Sequence, residues 1–535
     1  MIAHLLGALV LLVALWLSRG YIIYQLEFII NTLSGARQRG ASSIYGQGPY
    51  APVDMEVLEG DLSVEGSLPS ALDGTYIRNG PSPHPSLPPT GDFHWFDGDG
   101  MVHAVRIRKG TAAYANHWVR TSRLKQELRA KRRLFIRLGD LNGRGGLLLY
   151  LLSQLKERLG LKNSKDGTGP ANTSVVFHNK QVLALVETDL PYVVRVHGDA
   201  HVETLERLKV GGKKLLGPWA AHPKKDPATG ELVCFGWKIS KPHAHYFVLD
   251  KGGCLRSDVP IDIPEPVFMH DMAITQDYAV ILDLPLVLNP KRMAKGGPAW
   301  RFESRRAARI GLLPRATEDG RDIRWFELPA LFIFHTINAW QEGDAVALYA
   351  CVYDSIDLAD VSGSSAHVEE IRLDTSSGKA TRRVVSDISC EFPVVPACLV
   401  GRSCRYAYMA EVVGAERGYS GLAKVDLGAA TPAAAVAGRI SHGPGWLGGE
   451  ATFLPRSQDV AALKGEDDGY LVTYVTHGVG GASELRVYDA ASMAAEPVAA
   501  VRLPQRVPLG FHGTHIGEAD FQSQFPFDIH FLPDL

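Results

Sequence analysis

The sequence predicts an all-β fold, and a β-propeller fits it best. Short runs of β-branched and aromatic residues alternate with polar residues, and dipeptides such as Asp-Gly and Asn-Gly separate the runs. No helical pattern alternates with these runs, which argues against a parallel α/β sheet. The chain has 535 residues, too many for one ordinary domain but suitable for a large closed propeller. A two-sheet sandwich with additional elements stays open on the pattern alone, because no WD or kelch repeat recurs.

The N-terminal residues 1–33 are predominantly apolar. An apolar run to Leu17 contains only His4 as a polar residue, and the phrase YIIYQLEFII follows a short polar break. The run is near the lower length limit for a membrane span, and it lacks the charged start and cleavage site of a secretory signal. We expect a membrane anchor or interfacial helix; a packed helix and a cleaved signal are the alternatives. We expect residues 34–50 to form a linker and residues 51–535 to form a single catalytic domain.

Seven segments beyond the linker have the alternation of a strand most clearly. The predicted strands are Thr173–Phe177, Gln181–Val186, Tyr246–Leu249, Tyr278–Leu282, Ala345–Tyr353, Tyr406–Val412 and Tyr470–Thr476.

Residues 124–160 interrupt the strand pattern and predict a helical insertion. Two helices are expected on either side of a break at Asn142–Gly146, and the second helix is rich in leucine. Lysines and arginines flank it, and an apolar patch bordered by cations suits a bilayer surface. Packing against the sheets, with the charges in solvent, explains the same pattern equally well.

Charge and cysteine usage narrow the classes of partner. The formal net charge of −2 gives no reason to expect nucleic acid. The six cysteines form no CxxC pair, so neither a disulfide framework nor a zinc site is indicated. We expect buried free thiols in a reducing compartment, either cytosol or plastid.

Histidines are the candidate metal ligands, but their spacing does not select among them. The chain has 19 histidines. Two local pairs, His243 with His245 and His512 with His515, have spacings found in metal sites, although a structural role is the more common one for such pairs. The phrases around the histidines are more informative than the spacing.

Ten phrases, in order from about Gly66 to the C-terminus, resemble those of the carotenoid cleavage oxygenase family, in its plant and algal type. They are LDGTYIRNGPSP, DFHWFDGDGMVHAV, GPANTSVVFHNKQVLALVETDLPY, AHPKKDPATGE, FMHDMAIT, ARIGLLPR, FHTINAW, EFPVV, GGEATFLPR and VPLGFHG. The resemblance implies a seven-bladed β-propeller with a helical dome over its top face and an iron ion on its axis.

Carried over residue by residue, the resemblance implies a ligand set. The iron(II) ligands fall on His222, His270, His335 and His512, and the supporting carboxylates on Glu187 for His270, Glu391 for His335 and Glu450 for His512. His222 is expected to lack such a partner. A ligand imidazole presents one neutral nitrogen to the metal, so its other N–H needs an acceptor, and a carboxylate there fixes the ring. Four imidazoles leave two positions of an octahedron free, which gives room for O2 as co-substrate.

The resemblance implies oxidative cleavage of a C=C bond in a carotenoid or apocarotenoid, giving two carbonyl products. Such a substrate is found in membranes, so we expect a membrane-associated enzyme. A stilbene-cleaving activity is the nearest alternative; relatives with that activity use a lysine where this chain has Arg123. A propeller that binds partners without metal is the alternative of another class. His515 departs from the apolar residue usual in the family, so it could line the cavity or compete with His512 as a ligand.

Overall fold

The alternating segments form strands at the predicted places. The computed structural model describes residues 2–34, 43–88, 93–187, 189–210, 215–412, 418–478 and 481–524. The nine residues of Ala345–Tyr353 are all buried, as expected for a strand covered on both faces. Strands at Ser174–His178, Tyr278–Asp283 and Tyr406–Glu411 likewise match the predicted positions to within about two residues.

The described strands build seven antiparallel sheets, the blades of a β-propeller, which confirms the predicted fold class. Blades 2 to 6 follow one another along the chain, each with its innermost strand first. The strands are, for blade 2, Ser174–His178, Gln181–Leu185, Tyr192–Val196 and Val202–Arg207; for blade 3, Lys224–Lys225, Leu232–Trp237, Ala244–Leu249 and Leu255–Ile261; for blade 4, Ala273–Ile274, Tyr278–Asp283, Ala308–Pro314 and Arg324–Leu328; for blade 5, Phe332–Glu342, Ala345–Tyr353, His367–Asp374 and Ala380–Ser386; for blade 6, Cys390–Val394, Tyr406–Glu411, Gly421–Asp426 and Val436–Ser441. Leu286–Leu288 and Trp300–Phe302 form a small additional sheet.

Blades 1 and 7 close the ring with strands from opposite ends of the chain. Blade 1 contains Gly74–Pro81, Gly100–Arg108, Thr111–Trp118 and Leu58–Glu59, with the C-terminal strand Gly513–Gly517 innermost; blade 7 contains Thr452–Pro455, Trp446–Leu447, Gly469–His477, Ser483–Asp489 and Ala499–Arg502, with the N-terminal strand Val64–Gly66 outermost. Strands from both ends of the chain thus hold blades 1 and 7 in the ring. This arrangement also brings residue 512 to the axis, because the innermost strand of blade 1 begins directly after it.

Six α-helices lie within the described residues. They are α1 (Ile2–Leu33), α2 (Ser122–Ala130), α3 (Gly143–Arg158), α4 (Lys291–Ala294), α5 (Pro432–Ala435) and α6 (Glu518–Gln522), and eight 3-10 turns lie at Ile44–Gly46, Gly48–Tyr50, Ser70–Leu72, Trp95–Asp97, Gly320–Asp322, Val361–Gly363, Ala397–Leu399 and Val460–Ala462. Residues 43–50, part of the predicted linker, form the first two of these turns, and Tyr45 and Tyr50 pack against Trp95.

The break between α2 and α3 is longer than the sequence predicts. Helix α2 ends at Ala130, because Lys131 has a left-handed φ of 53°, and α3 begins at Gly143, within the predicted break. Glu127 accepts hydrogen bonds from the N–H groups of Leu134 and Phe135, at 2.9 and 3.1 Å. Glu127 thus satisfies two N–H groups of the break, which need no helical partner.

Helix α1 packs against α3 through its C-terminal half. The ammonium of Lys156 lies 2.8 Å from Glu27, and the Arg19 guanidinium donates to the carbonyl of Leu159 at 3.3 Å. Apolar side chains stay exposed beside these contacts, including Tyr21 and Leu33, at 66% and 83%. Among the described residues, no helix has the length and hydropathy needed to cross a bilayer. The membrane role of residues 1–33 therefore stays a prediction.

All six cysteines are free thiols, as predicted. Burial was predicted for all of them, and this is wrong for two. Cys254 lies in the turn before Leu255–Ile261 and Cys398 in the turn Ala397–Leu399, and both are exposed because these turns lie at the surface.

Candidate metal centre

Four blades each bring one histidine to the axis of the propeller. His222 precedes the innermost strand of blade 3, His270 precedes that of blade 4, and His512 precedes that of blade 1. His335 lies within the innermost strand of blade 5, where the pairing register shifts between Ile333 and Thr336. Such an irregularity re-aims a side chain out of the regular alternation of a strand. The rigid inner strands thus fix all four rings.

The Nε2 atoms of these four histidines converge on one point. Nε2 of His270 lies 3.1 Å from that of His222 and 3.2 Å from that of His335, which in turn lies 3.2 Å from that of His512. All four ligand atoms lie within 4.8 Å of one another. A metal–imidazole bond is about 2.1 Å long, so nitrogens on adjacent corners of a metal's coordination octahedron lie about 3 Å apart. The observed spacing is therefore suitable for one ion.

The rings also have the angular arrangement of a partly filled octahedron. Five of the six pairs of ring centroids are 4.3–5.0 Å apart, whereas His270 and His512 are 6.4 Å apart. One longer pair indicates that these two rings face each other across the centre, while His222 and His335 are adjacent. Four nitrogens in this arrangement leave two adjacent corners without a protein ligand.

Each of three histidines has a carboxylate at its other ring nitrogen. Nδ1 lies 2.5 Å from Glu187 Oε1 in His270, 2.5 Å from Glu391 Oε2 in His335 and 2.8 Å from Glu450 Oε1 in His512. Among the described residues, no carboxylate lies within ion-pairing distance of His222. The structure thus places each glutamate against the histidine that the resemblance assigns to it. An Nδ1–H that donates to a carboxylate leaves the Nε2 lone pair directed at the centre.

Burial and mutual proximity keep the imidazoles of His222 and His335 neutral. Burial first, and then the neighbouring histidines, lower the pKa of His222 and of His335 well below the usual value. Burial also raises the pKa of Glu391 to about 7, and a cation among the rings would favour its ionised form. Convergent lone pairs repel one another unless a positive ion lies between them, so this donor set fits a bound metal ion.

The other histidines of the two local pairs lie away from the centre and have structural partners. His515 lies in the innermost strand of blade 1, and its Nε2 donates a hydrogen bond to the carbonyl of Leu72 at 3.0 Å. His245 lies between Asp258, at 2.7 Å, and the carbonyl of Pro218, at 3.0 Å. Neither His515 nor His243 or His245 joins the cluster of four ligand atoms.

One contact to the centre was missed from the sequence. The hydroxyl of Tyr353 donates to Glu391 Oε1 at 3.1 Å, on the side away from His335. Tyr353 is the last residue of the strand Ala345–Tyr353, and an aromatic residue at this place in the sequence indicates only a strand. The packing of blade 6 against blade 5 brings it to the carboxylate.

A cavity of about 540 Å³ extends from His270, His335 and His512 to the helices α2 and α3. Around the histidines its wall is mostly apolar and aromatic, with Phe96, Phe268, Trp300, Phe334 and Phe392 among its members. The far end is polar and is lined by residues that include Arg123, Tyr150, Ser153, Gln154 and Lys162. The cavity therefore offers room beside the centre for a long apolar molecule.

Comparisons with known proteins point to one family. The model of the retinal pigment epithelial membrane protein (RPE65) family matches residues 50–517. The carotenoid 9,10(9',10')-cleavage dioxygenase of Crocus sativus is 41% identical over 498 residues, covering 90% of each chain. A chloroplastic 9-cis-epoxycarotenoid dioxygenase of Arabidopsis thaliana is 36% identical over 489 residues, covering 89% of this chain and 82% of its own.

Solved structures point to the same family. Lignostilbene dioxygenase of Pseudomonas brassicacearum superposes with a TM-score of 0.75 at 26% identity, covering 88% of this chain and 98% of its own. A variant of the Synechocystis apocarotenoid oxygenase superposes with a TM-score of 0.73 at 28% identity, covering 87% and 97%.

Proposed function

We propose a function from the premise that this chain belongs to the family of RPE65 and the carotenoid cleavage dioxygenases, which are oxygenases. The proposed reaction is the oxidative cleavage of one C=C bond of a carotenoid or apocarotenoid by O2, giving two carbonyl products. The observation that carries this proposal is the convergence of four buried histidines, three of which line a large, mostly apolar cavity. Such a cavity is suitable for a polyene, and the three histidines in its wall would bring the metal next to it.

The metal we propose is iron(II), held by His222, His270, His335 and His512. Iron(II) would supply the activation of O2, for which no side chain offers an equivalent. Glu187, Glu391 and Glu450 orient three of the rings and offset the positive charge of the ion. The aromatic wall excludes water and holds the double bond beside the centre.

The names of the relatives suggest which double bond of the substrate is cleaved. The relatives at 40–41% identity are named for cleavage at the 9,10 and 9',10' positions, whereas the epoxycarotenoid dioxygenases are 36% identical. We therefore expect cleavage at a 9,10 double bond.

Incubation with a panel of carotenoids, apocarotenoids and stilbenes, followed by mass identification of the aldehydes, tests the reaction. We expect products of a 9,10 cleavage, and about one iron per chain after anaerobic loading. Products from the stilbenes alone would favour the activity of the lignostilbene dioxygenase with TM-score 0.75. Absence of iron and of any product would favour a binding platform and contradict the enzymatic proposal.

Membrane association in a reducing compartment is part of this proposal, because a polyene has to be taken from a bilayer. Gln154 is exposed and lines the cavity, and the apolar side chains of Leu151 and Leu155 beside it are 54% and 40% exposed. An opening flanked by exposed leucines would let a polyene enter without crossing water.

Vesicle binding tests this arrangement. Changing Leu148, Leu151 and Leu155 to serine should weaken binding to phosphatidylcholine vesicles, measured by cosedimentation, by more than about ten-fold, since full burial of one leucine alone contributes about 1.5–3 kcal/mol. A matched control changes Leu58 and Val384, which are exposed on the outer strands of blades 1 and 5. Equal binding of both variants and the parent would contradict docking through α3.

A further inference from the structure

Asp271 and Thr336, which directly follow two of the four histidines, are hydrogen-bonded to each other through the buried carboxylate of Asp271. Asp271 follows His270 and is 2% exposed. Its Oδ2 accepts the backbone N–H of Thr336, the residue after His335, at 2.8 Å, and lies 2.8 Å from the Thr336 hydroxyl oxygen. One side chain thus ties the backbone of blade 4 to that of blade 5, immediately beside their histidines.

The same carboxylate reaches a third blade. Its Oδ1 lies 2.8 Å from the ammonium of Lys224, two residues after His222 in the innermost strand of blade 3. It also accepts the N–H of Met272 at 2.7 Å, which holds the carboxylate against its own backbone. Removing one partner from a buried ion pair leaves the other charge uncompensated.

The contact with Thr336 occurs where the strand is irregular. The pairing of Phe332–Glu342 with Ala345–Tyr353 shifts on both sides of Thr336. An N–H at such a shift falls out of the regular ladder and needs another acceptor. Asp271 supplies that acceptor, and so it fixes the irregular backbone that aims His335.

We propose that Asp271 is a positioning residue that sets His222, His270 and His335 relative to one another through their backbones. The glutamates act on the imidazole rings, whereas Asp271 acts on the strands that carry them. This inference rests on the proposed metal centre and adds a second support to it. The competing explanation is that Asp271 only joins three blades and does not affect the centre.

Cobalt(II) binding to the full chain separates these explanations. Asp271→Asn should weaken Co²⁺ binding about 10–100-fold, the range typical of residues that support ligands, and should change the visible d–d spectrum. Lys224→Met and Thr336→Val should change the Co²⁺ affinity and the spectrum in the same direction by smaller factors. These two variants provide the test if Asp271→Asn does not fold. Neither readout depends on turnover.

Asp283 offers a matched control in the same blade. It is fully buried and pairs with the guanidinium groups of Arg306 and Arg309, but it does not line the centre. Asp283→Asn should lower the unfolding temperature while leaving Co²⁺ affinity and spectrum unchanged. If Asp271→Asn and the two smaller variants behave like Asp283→Asn, the positioning role is wrong. If the parent chain itself binds no Co²⁺, the proposed function fails instead.

Discussion

Replacing His512 by alanine should abolish metal loading and lower activity by more than about 100-fold, because losing a ligand costs more than losing a residue that supports one. Nε2 of His512 lies 3.2 Å from that of His335, and its ring faces that of His270 across the centre. Its removal would leave three nitrogens and would deprive Glu450 Oε1 of its imidazole donor. Metal content and turnover of the purified variant are the measurements.

His515→Ala is the control, since this histidine resembles His512 in sequence but not in position. Its ring bonds the carbonyl of Leu72, so its removal should cost about 0.5–1.5 kcal/mol of unfolding free energy and leave the metal content at the parental value. Full metal content in His512→Ala together with loss in His515→Ala would reverse the assignment. Melting curves of both variants show whether a loss of metal comes from unfolding.

The strands could be predicted because alternation is a local property. Each residue of Ala345–Tyr353 carries its own propensity, and the phrases around the histidines likewise lie within a few positions of them. Alternation and turn dipeptides were thus enough to predict an all-β fold, and the resemblance was needed to predict the seven-bladed propeller and the grouping of the four histidines.

Contacts between distant residues could not be predicted in this way. The segment after α2 looks helical, but Asp97, from the turn Trp95–Asp97, accepts the N–H groups of Leu138 and Gly139. The link from Asp271 to Thr336 and Lys224 depends on three blades meeting at the axis. Nothing in a window of about 18 residues, the scale of periodicity analysis, specifies such meetings.

Glu391→Ala is expected to have the largest effect among the three carboxylates, because Glu391 serves most donors. Its Oε2 lies 2.5 Å from His335 Nδ1 and accepts the N–H of Phe392 at 2.7 Å, and its Oε1 accepts the hydroxyl of Tyr353. Alanine leaves all three donors buried without an acceptor, at about 1–3 kcal/mol each. We expect metal affinity to fall about 10–100-fold and the metal-free protein to unfold at a lower temperature.

Two further variants separate the effect on the ring from the effect on stability. Tyr353→Phe removes only the donor at Oε1, so it should lower stability slightly and leave the metal affinity within about two-fold of the parent, since the contact to the ring is intact. Glu391→Gln keeps the volume and can still accept from Nδ1, but its neutral amide no longer offsets the charge of the ion. It should therefore bind metal more weakly than Tyr353→Phe and more tightly than Glu391→Ala. If Glu391→Ala bound metal like the parent, the ring of His335 would be oriented by packing alone, and the carboxylate would have no role at the centre.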